Sequence, residues 1–537
     1  MRISRKRGLA AATAALLAIA MAPAGPFTET VSPGDDPAVN SSNMSWVAQV
    51  RYEEEKEDPN DVDEQGGTDL EIASMTVLGA DGQPELRDYA FTGTYQNGFN
   101  IIDVTNPAEP VKTAQYQCDV RQGDIQVMHR PDMRNDAGLS RTFVSYAMDN
   151  SQSSVASSTC YTELEGKAQL AATQNSGAGS LLIDVTDPTA PLSVGFIPAA
   201  GGTHNGTIQG FDTTDDDLFD TWLFYNSDND AGRGVQVWDI TDVDDPTLVT
   251  TMPVNESGTD THDITFSEDG TRAYVASITN SYILNTEDPR KPTLVSRIFD
   301  PANGIHHQAD PITVATPIGD RTYVIISDEI AGAAGNGFCP GGGLHIWDVT
   351  LETAPVKVGT YFMPDIKVQE GAQTGAGGLV TCTSHVLRMY PDQQIMTIAN
   401  MAGGVRVLDV SELIGLSVGA ENKTTGAVAG INDLGWFRFT SNDERGHDAW
   451  TFKAHTDRFE EDGSFYGFSN DQTRGFEVFR YDGSVDTATP AAGQDAERGR
   501  MATVAEALTR WENLDFRTDA LSYSCRFPTG LQAELGL

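Results

Sequence analysis

A repeated segment is the feature that most restricts how this chain can fold. Each copy has a Gly, alternating apolar residues, an Asp, a β-branched pair and a turn that ends in Pro. Alternating apolar residues predict a strand with one buried face, the Asp is placed to accept backbone N–H groups of the turn, and Pro presets that turn. Five clear copies and two degenerate ones lie at 98–111, 179–192, 234–249, 343–356, 404–413, 280–295 and 475–484.

The spacing of the copies predicts a β-propeller. Each interval holds further apolar strands, such as RAYVAS (272–277), separated by turn signals. Four short strands per repeat are typical of a propeller blade, and seven copies predict seven blades. The last copy lacks an outer strand, whereas SWVAQVRY (45–52) has no repeat of its own. We therefore expect an all-β fold, a seven-bladed β-propeller at 45–484 whose N-terminal strand closes the last blade.

The two ends of the chain lie outside the repeats. Residues 1–24 combine a basic stretch, a short apolar run and a small-residue cleavage site, which predicts a signal peptide and a secreted protein, extracellular or on the cell surface. No later run is long and apolar enough for a membrane span. Residues 485–537 form a tail in which 496–514 has the spacing of an amphipathic helix. We expect this helix on the side of the propeller or over one mouth.

Charge and cysteines narrow the possible partners and the compartment. The chain has 77 acidic and 35 basic residues, a formal charge of −42, which disfavours nucleic acid as a partner and suits a cationic or neutral small molecule, a surface protein or simply a solvated acidic surface. We expect a monomer. Five separated cysteines without a CxxC pair predict disulfides in an exported chain. Adjacency favours Cys118 with Cys160 and Cys339 with Cys382, leaving Cys525.

Histidines recur at one place in successive repeats. They follow the preceding repeat Asp or Asn by 20, 23 and 21 residues in blades 3, 4 and 5, and a histidine precedes the comparable strand in blades 6 and 7, where His455 competes with His447. Asp124 takes the same place in blade 2, 21 residues after Asp103. Because innermost strands line a propeller's channel, the starts of these strands should form a ring around one mouth. We expect His307 to point away from this ring, since neighbours on a strand face opposite ways. The predicted ring consists of His204, His262, His306, His385 and His447.

Three interpretations of this ring stay open. Imidazoles are ligands for Fe, Cu or Zn, so the ring predicts a transition-metal site in which Asp263 or Asp448 orients a ring nitrogen. Alternatively, each histidine bonds within its own blade, or the channel takes a ligand without metal. The sequence favours a secreted module that binds a small molecule or a surface protein, with a metalloenzyme, such as an oxidoreductase, as the alternative. No hydrolase, zincin or nucleotide-binding motif occurs, and no catalytic residue is predicted.

The repeat resembles that of the LVIVD-repeat proteins. GSLLIDVTDPTAPL (179–192) carries the signature, and the segments THN, THD and IHH add a similarity to secreted "choice-of-anchor" relatives within that group. The resemblance covers about residues 45–483 and implies a secreted β-propeller, but no particular activity. The chain departs from these relatives by long insertions between its strands.

Overall fold

A computed structural model describes sixteen segments of the chain. The predicted signal peptide, residues 1–24, lies outside them, as do Cys339, Cys382 and Cys525. The described segments are 36–52, 66–94, 98–118, 123–148, 159–164, 179–199, 202–213, 218–228, 234–253, 261–316, 319–329, 342–364, 383–418, 429–441, 446–485 and 498–513.

The strands up to the third blade follow the repeats in chain order. Strands β1 (Ala38–Asn40) and β2 (Met44–Val50) come first. Blade 1 consists of β3 (Gly67–Leu78), β4 (Pro84–Thr94), β5 (Phe99–Asp103) and β6 (Val111–Tyr116). Blade 2 consists of β7 (Ile125–Arg134), β8 (Ser140–Met148), β9 (Gly179–Asp184) and β10 (Leu192–Pro198), with helix α1 (Thr159–Thr162) between β8 and β9. Blade 3 consists of β11 (Thr203–Phe211), β12 (Thr221–Asp228), β13 (Val235–Asp239) and β14 (Thr247–Met252).

The remaining strands complete four more blades. Blade 4 consists of β15 (Asp263–Phe266), β16 (Arg272–Ser277), β17 (Asn280–Asn285) and β18 (Thr293–Ile298). Blade 5 consists of β19 (His306–Val314), β20 (Arg321–Asp328), β21 (Leu344–Asp348) and β22 (Val356–Phe362). Blade 6 consists of β23 (Leu387–Tyr390), β24 (Ile395–Ala399), β25 (Val405–Glu412) and β26 (Gly430–Phe439), with helix α2 (Leu413–Val418). Blade 7 consists of β27 (Ala449–Ala454), β28 (Phe465–Asp471) and β29 (Gly475–Tyr481), and the tail adds β30 (Arg500–Ala502) and α3 (Val504–Asn513).

The seven antiparallel sheets form a closed ring, which confirms the predicted seven-bladed β-propeller. The first strand of each blade contacts the first strands of both neighbouring blades, and β27 of blade 7 contacts β3 of blade 1. The N-terminal strand β2 pairs with β29 as the outer strand of blade 7, as predicted. Closure by a strand from the other end of the chain leaves the last blade without an unpaired outer position.

Apolar packing between blades holds the ring together. The described core divides into clusters at the seven blade-to-blade interfaces, and the cluster that joins blade 7 to blade 1 includes Val50 of β2, Phe476 of β29 and Leu70 of β3. The strands that meet at these interfaces therefore bury apolar side chains against a neighbouring blade, as their alternating pattern predicts.

The repeat Asp has the structural role that the sequence predicts. In blade 1, Asp103 Oδ1 accepts the backbone N–H of Thr105 at 2.9 Å. In the next five blades the equivalent side chain also accepts the backbone N–H of the residue two places further on. These acceptors are Asp184, Asp239, Asn285, Asp348 and Asp409. The residue aligned in blade 7, Arg480, instead pairs with Glu460.

Both ends of the described chain extend outer edges of blades. Strand β1 adds to β26 in blade 6, and β30 adds to β22 in blade 5. Helix α3 is shorter than the predicted 496–514 and packs through Ala507 against Phe362, on the side of the propeller.

No helix in the described segments is long and apolar enough to cross a membrane. The predicted disulfide between Cys118 and Cys160 is confirmed.

Candidate metal centre at the channel mouth

Four histidines and a tryptophan from consecutive blades stand side by side at the channel mouth. The ring centroids of His204 and His262 lie 4.0 Å apart, and those of His262 and His307 4.5 Å apart. His385 follows at 4.2 Å from His307, and Trp450 at 4.4 Å from His385. All five side chains belong to buried residues. The structure therefore brings together three of the five predicted histidines, His204, His262 and His385, with two residues that the sequence analysis did not place there.

The β-ladder is irregular at the starts of three first strands, and this irregularity changes the direction of three of these aromatic side chains. The β-ladder register shifts between Thr203 and Gly206 in blade 3, between His306 and Gln308 in blade 5, and between Ala449 and Thr451 in blade 7. Each shift spans a residue of the ring. An extra residue at a β-bulge changes the direction of a side chain, which is why bulges recur beside functional sites.

The prediction that His306 joins the ring and His307 points away is wrong. Ala309 lies two residues after His307 and packs in the core, as Ile264 does two residues after His262. His307 is therefore the equivalent of His262. The irregular register at the start of β19 shifts by one residue the position counted from the preceding repeat residue. The His306 ring instead faces blade 4, where its Nδ1 lies 2.8 Å from Ser281 Oγ.

The prediction that His447 joins the ring is also wrong. Trp450 takes that place in blade 7, and His447 lies in a separate buried group with Asp471 and Glu477. The backbone N–H of Phe439 donates to His447 Nδ1 at 3.2 Å, so Nε2 carries the ring proton and faces Glu477 Oε2 at 3.3 Å. A neutral imidazole in this tautomer has no free lone pair for a metal. The bonds of His447 fit a local structural role.

Two histidines of the ring have the tautomer that metal ligands need. His262 Nδ1–H donates to the carbonyl oxygen of His307 at 2.9 Å, and His385 Nδ1–H donates to that of Trp450 at 2.8 Å. Since a carbonyl oxygen only accepts, Nε2 of each neutral ring keeps its lone pair. Backbone carbonyls thus take the orienting role expected for Asp263 and Asp448. Asp263 Oδ1 instead accepts the N–H of Ile264.

A buried carboxylate faces these nitrogens. Glu329 follows the end of β20, and its Oε2 lies 3.8 Å from His307 Nε2 while its Oε1 lies 3.7 Å from His385 Nε2. Ligand atoms of His262, His307 and Glu329 all lie within 4.8 Å of one another. The set comprises imidazole nitrogens and one carboxylate, a combination found for Zn, Fe, Cu and Ni. Sequence analysis missed Glu329 because nothing in its local pattern marks it.

Burial keeps the imidazoles of His262, His307 and His385 neutral. It lowers the pKa of His262 and of His307 well below the ordinary value, and the neighbouring histidines add to the effect. Burial also lowers the pKa of His385 to about 3, against a partial opposing effect of its bond to Trp450. Neutral imidazole is the form that binds metal near neutral pH.

Replacing His385 with Gln should make the metal-free protein less sensitive to acid. The folded-state pKa of His385 lies below its unfolded value, so the unfolded chain takes up the proton first and stability is lost as pH falls below about 6.5. Between pH 7 and 5.5 this histidine accounts for a loss of about 1.3 kcal/mol. Urea unfolding at both pH values should show a loss smaller by about 1 kcal/mol in His385→Gln than in wild type. Equal losses in the two proteins would contradict the assignment.

The channel below the ring is a cavity of about 740 Å³ lined mainly by polar side chains, most of them on or next to the first strands. His204, His307 and His385 line the same cavity. Asp124, which the sequence placed with the histidines, lies one residue beyond the ring position, where Gly123 stands, and its Oδ2 accepts the N–H of Gly206 at 3.0 Å. Any metal held by the ring would therefore face a polar channel.

Carboxyl groups inside the channel have raised pKa values. Desolvation raises the pKa of Asp124 well above its ordinary range, and the nearby Asp69 carboxylate adds to the shift. Desolvation raises the pKa of Asp263 to about 7, with a further contribution from Asp310. Clusters of perturbed carboxyls in a cavity are typical of binding and catalytic sites.

Comparison with known proteins adds similar structures but no family. No protein-family model and no curated protein matches the chain. A putative 6-phosphogluconolactonase from Bacteroides fragilis is 11% identical with a TM-score of 0.38, covering 83% of this chain and 99% of that one. The periplasmic gluconolactonase PpgL of Pseudomonas aeruginosa is 10% identical with a TM-score of 0.40, covering 81% and 100%. The β-propeller domain of Cps50 (Swd1) from Myceliophteria thermophila is 8% identical with a TM-score of 0.40, covering 77% and 100%. We draw no functional argument from similarities this low.

Proposed function

We propose that this propeller binds a transition-metal ion at the channel mouth and acts as a metalloenzyme on a molecule that reaches the ion through the channel. The proposed ligands are His204, His262, His307 and His385, with Glu329 as a carboxylate ligand or as a partner that orients one of the rings. Fe, Cu and Zn all suit this set of nitrogen and oxygen donors.

The observation that carries the proposal is a set of converging ligand atoms. His262, His307 and Glu329 each offer one ligand atom, and these atoms all lie within 4.8 Å of one another. All three residues are buried, and burying a carboxylate away from water costs free energy that a cation compensates. A metal ion held by the imidazoles and the carboxylate would offset that cost.

The surroundings of the ring also support a site open to a substrate. His204, His307 and His385 line the 740 Å³ cavity, a volume within the range of small-molecule sites. A catalytic metal keeps one coordination position for water or substrate, and the channel is the side from which a molecule would reach it. The same cavity supports the second candidate, a module that binds a small molecule without turnover.

Export, the LVIVD-repeat resemblance, a surface-protein partner and a monomeric state remain predictions from the sequence. The Cys118–Cys160 disulfide supports export, because disulfides persist mainly in oxidising compartments.

Elemental analysis of protein purified without a polyhistidine tag tests the proposal. After reconstitution with Fe²⁺, Cu²⁺ or Zn²⁺ and gel filtration, wild type should retain about one ion per chain and His262→Ala much less, since losing even an outer-shell partner costs about 10–100-fold in affinity. His129→Ala is the matched control, because His129 is exposed on blade 2, away from the ring. The proposal fails if wild type retains no stoichiometric metal or if the two variants retain equal amounts.

A further inference from the structure

The wall of the channel follows a regular pattern below the histidine ring. In the first strands of blades 1, 2, 4 and 5, the residues one and three places past the ring position line the cavity, and the residue between them is buried. Blade 4 shows the pattern with Asp263 and Thr265 in the channel lining and Ile264 buried at 2% exposure. The channel therefore has a built polar lining whose charges can be assigned blade by blade.

The charged side chains that blades 1, 6 and 7 contribute to this lining pair with one another. The Lys453 ammonium donates to Asp69 Oδ1 at 2.9 Å, to the Leu70 carbonyl at 2.7 Å and to Glu71 Oε1 at 2.9 Å. An ammonium has three protons, so all the hydrogen-bond donors of Lys453 are already engaged. Arg388 of blade 6 also pairs with Glu71. The cationic side chains of Lys453 and Arg388 are thus both bonded to carboxylates of blade 1.

The other side presents carboxyl groups. Asp124, Asp263 and Asp310 belong to blades 2, 4 and 5 and line the same cavity. The donors beside them are engaged within the wall, since Thr265 Oγ1 donates to Asp310 at 2.8 Å and the Gln308 amide donates to Asp310 and to the Leu387 carbonyl. Asp124 also shares a hydrogen bond with the Asp69 carboxyl. The remaining lone pairs of these carboxyls are acceptors, so a matching ligand must bring hydrogen-bond donors.

The spacing of these carboxyls favours a molecule over a metal ion. In the described segments, acidic and histidine ligand atoms converge within 4.8 Å in two groups, and neither contains a channel carboxyl. A single ion cannot join groups that do not converge, whereas an extended molecule can contact carboxyls on several blades. The cavity volume of about 740 Å³ accommodates such a molecule.

We propose that the channel binds an aliphatic amine, a molecule with one or more ammonium groups that Asp124, Asp263 and Asp310 accept. The inference rests on the proposed function in naming the amine as the substrate class of the metal centre, while amine binding itself needs no metal. The formal charge of −42 adds a long-range attraction for cations, which concentrates them at an acidic cavity.

Calorimetric titration of the full mature chain with matched probes tests this proposal. At pH 8, 1,4-diaminobutane should bind at least about tenfold more tightly than the isosteric 1,4-butanediol, because charge-assisted hydrogen bonds distinguish them. Added NaCl should weaken diamine binding and leave diol binding unchanged. Equal affinity for the two probes, or no heat of binding with the diamine, would overturn the proposal, and neither outcome depends on a variant.

Single substitutions then locate the site. Asp124→Asn and Asp310→Asn should each weaken diamine binding about tenfold or more, and Asp136→Asn, which removes the same charge from an exposed turn of blade 2, should not change it. Thermal unfolding checks that each variant is folded. Wild-type affinity in both channel variants would exclude this site.

Titration of metal-free wild-type protein, prepared with a chelator, separates the two proposals. It should bind the diamine, so diamine binding by protein that retains no stoichiometric metal on reconstitution would refute only the metal centre. Failure of the metal-free protein to bind the diamine would contradict the channel proposal.

Discussion

Replacing His307 with Ala should abolish stoichiometric metal binding, whereas replacing the adjacent His306 should leave it intact. The His307 ring lies between those of His262 and His385, with Nε2 3.8 Å from Glu329 Oε2. The His306 ring faces blade 4 and Ser281 instead. Removing a direct ligand should lower metal affinity by more than the roughly 10–100-fold seen for outer-shell partners. Competition with a chromophoric chelator measures this affinity in both variants.

The pair is a matched control because the two substitutions delete the same side chain one residue apart. Both side chains are buried, so both variants should lose stability, and far-UV circular dichroism must confirm that each is folded before metal is measured. Equal metal affinity in the two variants, or loss in His306→Ala alone, would show that the ring does not bind metal through His307.

Replacing Lys357 with Met should destabilise the protein by about 3–5 kcal/mol. The Lys357 ammonium pairs with Asp300 Oδ2 at 2.6 Å and donates to His345 Nδ1 at 2.8 Å, and the side chains of Asp300 and Lys357 are 1% and 7% exposed. Burial opposes the ionisation of Asp300, but His345 and Lys357 hold the pKa of this carboxyl well below its ordinary value. Methionine keeps the aliphatic stem and leaves a buried carboxylate without its cation.

Two controls isolate the charge. Lys357→Met combined with Asp300→Asn should recover part of the lost stability, because no unpaired charge is left inside the protein. Arg480→Met, which breaks the more exposed pair with Glu460, should cost less than about 1 kcal/mol. Urea unfolding at pH 7 gives the three free energies. A cost for Lys357→Met as small as that for Arg480→Met would contradict the role assigned to the buried pair.

The fold was predictable because the repeat specifies strands and turns at once. The residue that accepts the turn N–H, as Asp103 does from Thr105, is Asp in five blades and Asn in blade 4, and it makes the bond that the sequence suggests in all six. The unpaired outer position in the last repeat pointed to β2 as the closing strand, and β2 pairs there. The first inference uses only the hydrogen bonding of an Asp with its own turn, and the second only the need to fill the outer position of the last blade. Neither needs the geometry of side chains from different blades.

The site was only partly predictable because it depends on register. Counting residues from the repeat Asp identifies His204 and His262 but selects His306 over His307, since a bulge at the start of β19 shifts the count by one. Counting from the buried residue of each strand, Ile264 or Ala309, would have selected His307.

Glu329 and the channel positions of Asp124, Asp263 and Asp310 were missed for a different reason. Each is an ordinary acidic residue within its own repeat, and its role arises only when several blades meet at the axis. Asp124 was singled out from its position, yet it lies one residue past the ring and in the channel wall. Convergence of residues from different repeats is a property of the closed ring and has no local sequence signal.

Anomalous diffraction from crystals of the metal-reconstituted protein tests the central claim most directly. Data collected on both sides of the absorption edge of the added metal should show one strong peak inside the ring, about 2.0–2.3 Å from Nε2 of His262, His307 and His385. A peak at His447 and Glu477 instead, or a ring without any peak in crystals that contain stoichiometric metal, would contradict it.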